Sequence, residues 1–159
     1  MAERGSVEIK ILDPRLQQWG LPRYQTEMAG AVDLHACLDR PILVAAQEAP
    51  VLVPSGFAML MGDPGMAAMI IPRSGAGHRR GLVLGNSVGL IDADYTAEIM
   101  ISVWNRNPPG HDPIEIVPGE RIAQMIFVPV LRPSFALVEQ FSRSTERGGG
   151  GFGSTGTGL

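Results

Sequence analysis

From Val7 to Phe141 the apolar residues fall in short runs or strict alternation, interrupted every few positions by proline or glycine. That pattern belongs to half-buried strands joined by turns, and it predicts an all-β sandwich or barrel. The candidate strands are Val7–Leu12, Ala31–Ala36, Val51–Val53, Phe57–Met61, Met66–Ile71, Leu82–Leu84, Glu98–Trp104, Ile114–Val117, Arg121–Val130 and Ala136–Gln140. Twenty glycines and thirteen prolines suit many turns and disfavour long helices. One stretch, Ser74–Arg80, is predicted to form a short helix with Ser74 as its N-cap. After Phe141 the character changes: Arg143-Ser-Thr-Glu-Arg147 is followed by glycine at most positions to Leu159. The chain therefore divides into a β domain over 1–142 and a glycine-rich arm over 143–159, which fits a disordered terminus or an arm that orders on a ligand.

At 159 residues one domain can bury a core without disulfides or a structural metal. A formal net charge of −3 excludes a broad basic surface of the kind that grips nucleic acid by its phosphates. Cys37 is the only cysteine, which rules out an intrachain disulfide and a cysteine-based zinc site; its apolar neighbours predict a buried small hydrophobe. Met1 to Ser6 is charged, with no apolar signal core behind it, and no apolar run approaches the roughly 20 residues of a membrane span. The expectation is a soluble cytoplasmic protein. Lys10 is the only lysine, so an anion site has to use arginine or backbone N–H groups.

Several segments carry residues suited to chemistry. In Arg73-Ser74-Gly75 the helix N–H groups, a hydroxyl and a guanidinium would converge on one point, as a phosphate requires; a capped turn with a solvated arginine fits the same residues. Gly85-Asn86-Ser87-Val88-Gly89 signals a hairpin turn or wide loop. In Leu90-Ile91-Asp92-Ala93-Asp94-Tyr95 two acids and an aromatic precede an apolar strand, where a carboxylate held near water could serve as a general base or stand exposed at a strand end. Asp33 interrupts an apolar alternation as an outward acid would, and one such carboxylate beside a triphosphate suits magnesium, which keeps most of its waters. Gln124 lies in an otherwise apolar strand and needs partners for its amide if buried. Arg147 to Thr155 offers an arginine, the lone aromatic Phe152 and two hydroxyls on a chain that glycine lets fold closely over a ligand. His35, His78 and His111 show no metal-ligand spacing and are read as structural.

In order along the chain these segments resemble the five motifs of the trimeric dUTPase family. Motif one resembles Ala29-Gly30-Ala31-Val32-Asp33-Leu34, and motif two Pro72-Arg73-Ser74-Gly75 with Gly77-His78. Motif three is similar to Gly89–Tyr95, motif four to Gly119-Glu120-Arg121-Ile122-Ala123-Gln124, and motif five to Arg147–Gly156. The resemblance implies a compact jelly-roll-like β-barrel, assembled as a homotrimer that exchanges C-terminal arms, with each site drawing motifs from all three chains. It implies hydrolysis of dUTP to dUMP and pyrophosphate, which limits uracil in DNA and supplies dUMP for thymidylate synthesis.

Carried over by position, Asp92 would deprotonate the attacking water. Asn86, Gly89 and the backbone of Leu90, Ile91 and Met100 would line a hairpin that reads uracil, with the Tyr95 ring beneath the deoxyribose. Arg73, Ser74, Gly75 and Gln124 would hold the phosphates, Asp33 would reach Mg²⁺ through water, and Arg147, Phe152, Gly153 and Ser154 would close the lid. Ala97 and Ala76 depart from the family's usual residues, and Ala97 would matter if its position required positive φ. Two other functions share this frame: a dCTP deaminase, and a non-catalytic trimeric nucleotide-binding regulatory module. Neither nucleic acid nor membrane is an expected partner.

Overall fold

A computed structural model describes residues 5–145 and 148. Its elements are β1 (Glu8–Ile11), α1 (Leu16–Trp19), β2 (Val32–His35), β3 (Ile42–Val44), β4 (Val51–Leu60), β5 (Met66–Pro72), α2 (Ala76–Arg80), β6 (Leu82–Leu84), β7 (Gly89–Ile91), β8 (Glu98–Asn105), β9 (Ile114–Ile116) and β10 (Arg121–Pro129). One sheet has the order β1-β4-β8-β6, a second β2-β10-β5-β7, and β3 and β9 form a ribbon. All paired strands in these sheets run antiparallel, giving the jelly-roll-like all-β architecture. The core lies between the sheets. On β8 the alternation is clean, with Ile99, Ile101 and Val103 buried against Val53, Phe57, Ile70, Ile122 and Met125 while Met100 points out. No helix among the described residues is long and apolar enough to cross a membrane.

Two predicted strands, Val51–Val53 and Phe57–Met61, are one strand with a kink. The register of β4 against β8 shifts between Pro54 and Ala58, where proline has no N–H to give the ladder. Gly56 sits in this bulge at φ +81°, and a Cβ there would lie 2.3 Å from Cys37 Sγ. Its carbonyl accepts from the N–H groups of Leu12 and Asp13, both at 2.9 Å, and its own N–H donates to Glu98 Oε1 at 2.9 Å. The bulge thus docks the N-terminal segment onto the barrel. Positive φ and overpacking act together, so Gly56→Ala should cost about 2–5 kcal/mol. Urea denaturation at fixed protein concentration measures it, and an unchanged midpoint would mean that the bulge relaxes freely. Cys37 is buried as expected, and burial pushes its thiol up to about 12.

The helix content needs correction from one short helix to two. At 74–80 the expected helix is present, but Ser74 is inside it and no side chain caps it; the first carbonyl, from Arg73, accepts the Gly77 N–H at 2.9 Å. The last turn widens to a π-turn that stops at Gly81, φ +78°. Helix α1 escaped the sequence reading because four residues are too few for a periodicity. Its signal was Asp13-Pro14, since Asp13 Oδ1 accepts the Arg15 N–H at 2.9 Å and proline favours a first turn.

Among strands, β3 and β7 were missed, each only three residues long. Ala136–Gln140 is not a strand: the segment is irregular and exposed, as are Leu131, Phe135 and Phe141. Its alternation supplies propensity, but within one chain no edge pairs with it. Val130, whose N–H donates to the Gly65 carbonyl at 2.9 Å, is the last residue there held by the barrel backbone.

Candidate active site

Strands β2, β10 and β5 lie side by side, which sets Asp33 opposite Gln124, Gln124 opposite Ile71, and Ala123 opposite Pro72. Asp33, Gln124 and the start of the Arg73–Gly75 turn therefore share one end of the second sheet. Asp33 does leave the core face, as its neighbours Val32 and Leu34 are buried, but the expected outward acid is not open to water. Two guanidiniums cover it, leaving the side chain 11% exposed. Arg73 Nε donates to Oδ1 at 2.8 Å and Arg121 Nη1 to Oδ2 at 3.0 Å.

Gln124 Nε2 donates to the Pro72 carbonyl at 3.0 Å, tying β10 to the end of β5 just before Arg73. Ser74 and Gly75 follow, both exposed. His35, opposite Arg121, is buried; desolvation holds it below its ordinary value of 6.5, with Arg121 and Arg73 adding to the depression and Asp33 opposing it. With His35 neutral, two guanidiniums against one carboxylate leave the cluster one positive charge in surplus, which favours an anion. Arg121 was not singled out from the sequence, although it lies in the segment resembling motif four.

The second group surrounds β7. The loop 85–88 joins β6 of one sheet to β7 of the other, so it is the wide loop and not a hairpin: β6 pairs with β8 and β7 with β5. Asn86 is exposed, and its carbonyl accepts the Val88 N–H at 2.7 Å across Ser87, which takes φ +63°. Gly89 packs closely on β5, where a Cβ would stand 3.2 Å from Ile70 Cβ and need a small shift of that side chain. Leu90 faces out and Ile91 is half-buried.

Asp92 is exposed and opens a turn closed by the Tyr95 N–H on its carbonyl at 3.1 Å; Tyr95 Oη donates to the Glu98 carbonyl at 3.1 Å. Asp92 and Asp94 line a cleft of about 350 Å³ with Pro64, Val130 and Arg132. Met100 stands exposed on the outer face of β8, the neighbouring sheet. Ala97 is not among the residues with positive φ, so the missing glycine there causes no strain. Arg147, Phe152, Gly153 and Ser154 lie outside the described residues.

One chain thus makes two separate groups. Ile91 pairs with Ala68, five residues before Arg73 on β5, and Asp92 lies beyond Ile91. At a rise near 3.3 Å per residue their backbones are about 17 Å apart or more along β5. Arg73 also extends away from β7, across β10 to Asp33 on β2.

The family model for dUTPase matches residues 17–156. The chain belongs to the dUTPase family. Deoxyuridine 5'-triphosphate nucleotidohydrolases of Salmonella typhimurium and of Enterobacter sp. (strain 638) are 54% and 53% identical to it over 151 residues, 94% of this chain and 97% and 96% of theirs. Among solved structures, a mutant dUTPase of Staphylococcus bacteriophage 80alpha with dUpNHpp superposes with a TM-score of 0.80 at 23% identity, covering 96% of this chain and 99% of that one. A mutant dUTPase from phage phi11 of S. aureus, described with a structural Mg(II) ion, gives 0.72 at 19% identity, covering 87% of this chain and 99% of that one. The two structural likenesses establish the dUTPase fold, and the sequence relatives carry the family membership across the barrel and both residue groups.

Proposed function

We propose that the chain hydrolyses dUTP to dUMP and pyrophosphate in a homotrimer whose sites join the Arg73 group of one subunit to the Asp92 group of another. The observation that carries this is the separation of about 17 Å along β5 between two groups that a single nucleotide must touch. The exposed Asp92 carboxylate takes a proton from a water as it attacks the α-phosphorus, and pyrophosphate departs on the opposite side. Arg73, Ser74, Gly75 and Gln124 hold the β- and γ-phosphates. Loop 85–88 with Leu90, Ile91 and Met100 reads the uracil edge, and Tyr95 supports the sugar. A dCTP deaminase needs a glutamate placed to move protons at the ring carbon, whereas the acid in this segment is Asp92, which favours the hydrolase; relatives at 53–54% identity bear the hydrolase name.

Among the described residues no three His, Cys, Asp or Glu side chains gather as a metal cage. A lone carboxylate, Asp33, beside phosphate-binding arginines fits instead a Mg²⁺ carried in by the triphosphate and held through water. When bound, Mg²⁺ neutralises charge on the phosphate oxygens. The large apolar side chains left bare on 131–141 suit burial on a neighbouring copy, as arm exchange requires, and 143–159 would then bring Arg147, Phe152, Gly153 and Ser154 over the site as a lid. The reaction serves the cytoplasmic nucleotide pool, needs neither nucleic acid nor membrane, keeps uracil out of DNA and yields dUMP for thymidylate synthesis. The test is product analysis with Mg²⁺ on dUTP, dCTP, dTTP and UTP. Pyrophosphate from dUTP alone is expected; ammonia from dCTP, or binding without turnover, would overturn it.

A further inference from the structure

We propose that Arg121 is a further triphosphate-binding residue, and that Asp33 parks Arg73 and Arg121 together until the anion arrives. The inference rests on the phosphate role given to the Arg73 group above. Three observations carry it. First, each oxygen of Asp33 holds one guanidinium, Arg73 Nε on Oδ1 and Arg121 Nη1 on Oδ2, with the carboxylate beneath and the arginine side chains 33% and 47% exposed above it. Beyond that carboxylate, the one protein acceptor either arginine side chain finds among the described residues is the Arg121 carbonyl, 3.4 Å from Arg73 Nη1. Arg121 Nε and both Nη2 groups therefore have no protein acceptor among the described residues and face solvent, free to take an anion.

Second, a bulge aims Arg121. The register between β10 and β2 shifts between Arg121 and Ala123, and both Ile122 and Ala123 are buried. In an unbroken strand residue 121 would share the core face of Ala123; the extra residue moves it to the face of Gln124 and Asp33. The bulge thus seats Ile122 and Ala123 together in the core and at the same time sets Arg121 on the face of Gln124 and Asp33. Third, one carboxylate cannot neutralise two guanidiniums, so the pair is attractive to a polyphosphate yet restrained from collapsing on other acids.

Binding calorimetry without divalent metal tests this, with α,β-imido-dUTP and dUMP as ligands. Arg121→Ala should weaken the imido-triphosphate at least about tenfold and dUMP less than about twofold, with Arg121→Lys between, because charge survives and the fork is lost. Asp33→Asn should tighten inorganic triphosphate roughly threefold or more by freeing both arginines. Equal losses for both ligands in Arg121→Ala and Arg121→Lys would make the residue structural and overturn the proposal, as would unchanged triphosphate binding. Weaker or equal triphosphate binding by Asp33→Asn would overturn the parking role. Arg73→Ala separates the two levels: if it loses triphosphate and Arg121→Ala does not, the inference fails alone, and if neither does, the phosphate assignment of the whole group fails.

Discussion

Asp92→Asn should lower kcat on dUTP by about 100- to 10,000-fold, the range a positioned general base supplies, while α,β-imido-dUTP binds within about threefold of the parent. The amide keeps the shape of the carboxylate and loses only its capacity to take a proton from water. Folding should be untouched, since the Asp92 side chain is exposed and its structural contact is the backbone carbonyl that receives the Tyr95 N–H. Thermal melts of the variant should therefore overlay those of the parent. Turnover within tenfold of the parent would remove Asp92 as the base and leave Asp94, which lines the same cleft, as the next carboxylate to test.

The strands were legible wherever one face is buried and the other wet, as on β8, because alternation records that asymmetry directly. What alternation cannot record is pairing. The Pro54–Gly56 bulge split one strand into two in the sequence, since a register shift depends on the neighbouring strand and not on local residues. The same blindness hid Arg121: by simple alternation it belongs with Ala123 in the core, and only the bulge brings it beside Asp33. Asp33 was legible as an acid leaving the core face, but the two guanidiniums that cover it come from residues 40 and 88 positions away. For the site, local chemistry left Arg73, Asp92 and Gln124 each open to an ordinary structural explanation. Their order along the chain, through the family resemblance, gave them roles; the distance between them appeared only with the register of β5 and β7.

That distance makes subunit complementation the most direct measurement of the shared site. Asp92→Asn subunits keep Arg73, and Arg73→Ala subunits keep Asp92, so each homotrimer alone should be nearly inactive. Co-expressed in equal amounts and mixing at random, three quarters of cyclic trimers contain both kinds of chain, and each of these has one junction where an intact Arg73 meets an intact Asp92. Activity should return to about one quarter of the parent's, a gain of roughly 25-fold or more over either variant if each retains 1% or less. The gain should require chain exchange, so separately folded variants mixed in the tube should stay inactive. Recovery of about one quarter, present only after co-expression, is the expected result; no recovery from verified mixed trimers would place Arg73 and Asp92 of one chain at one site and contradict it.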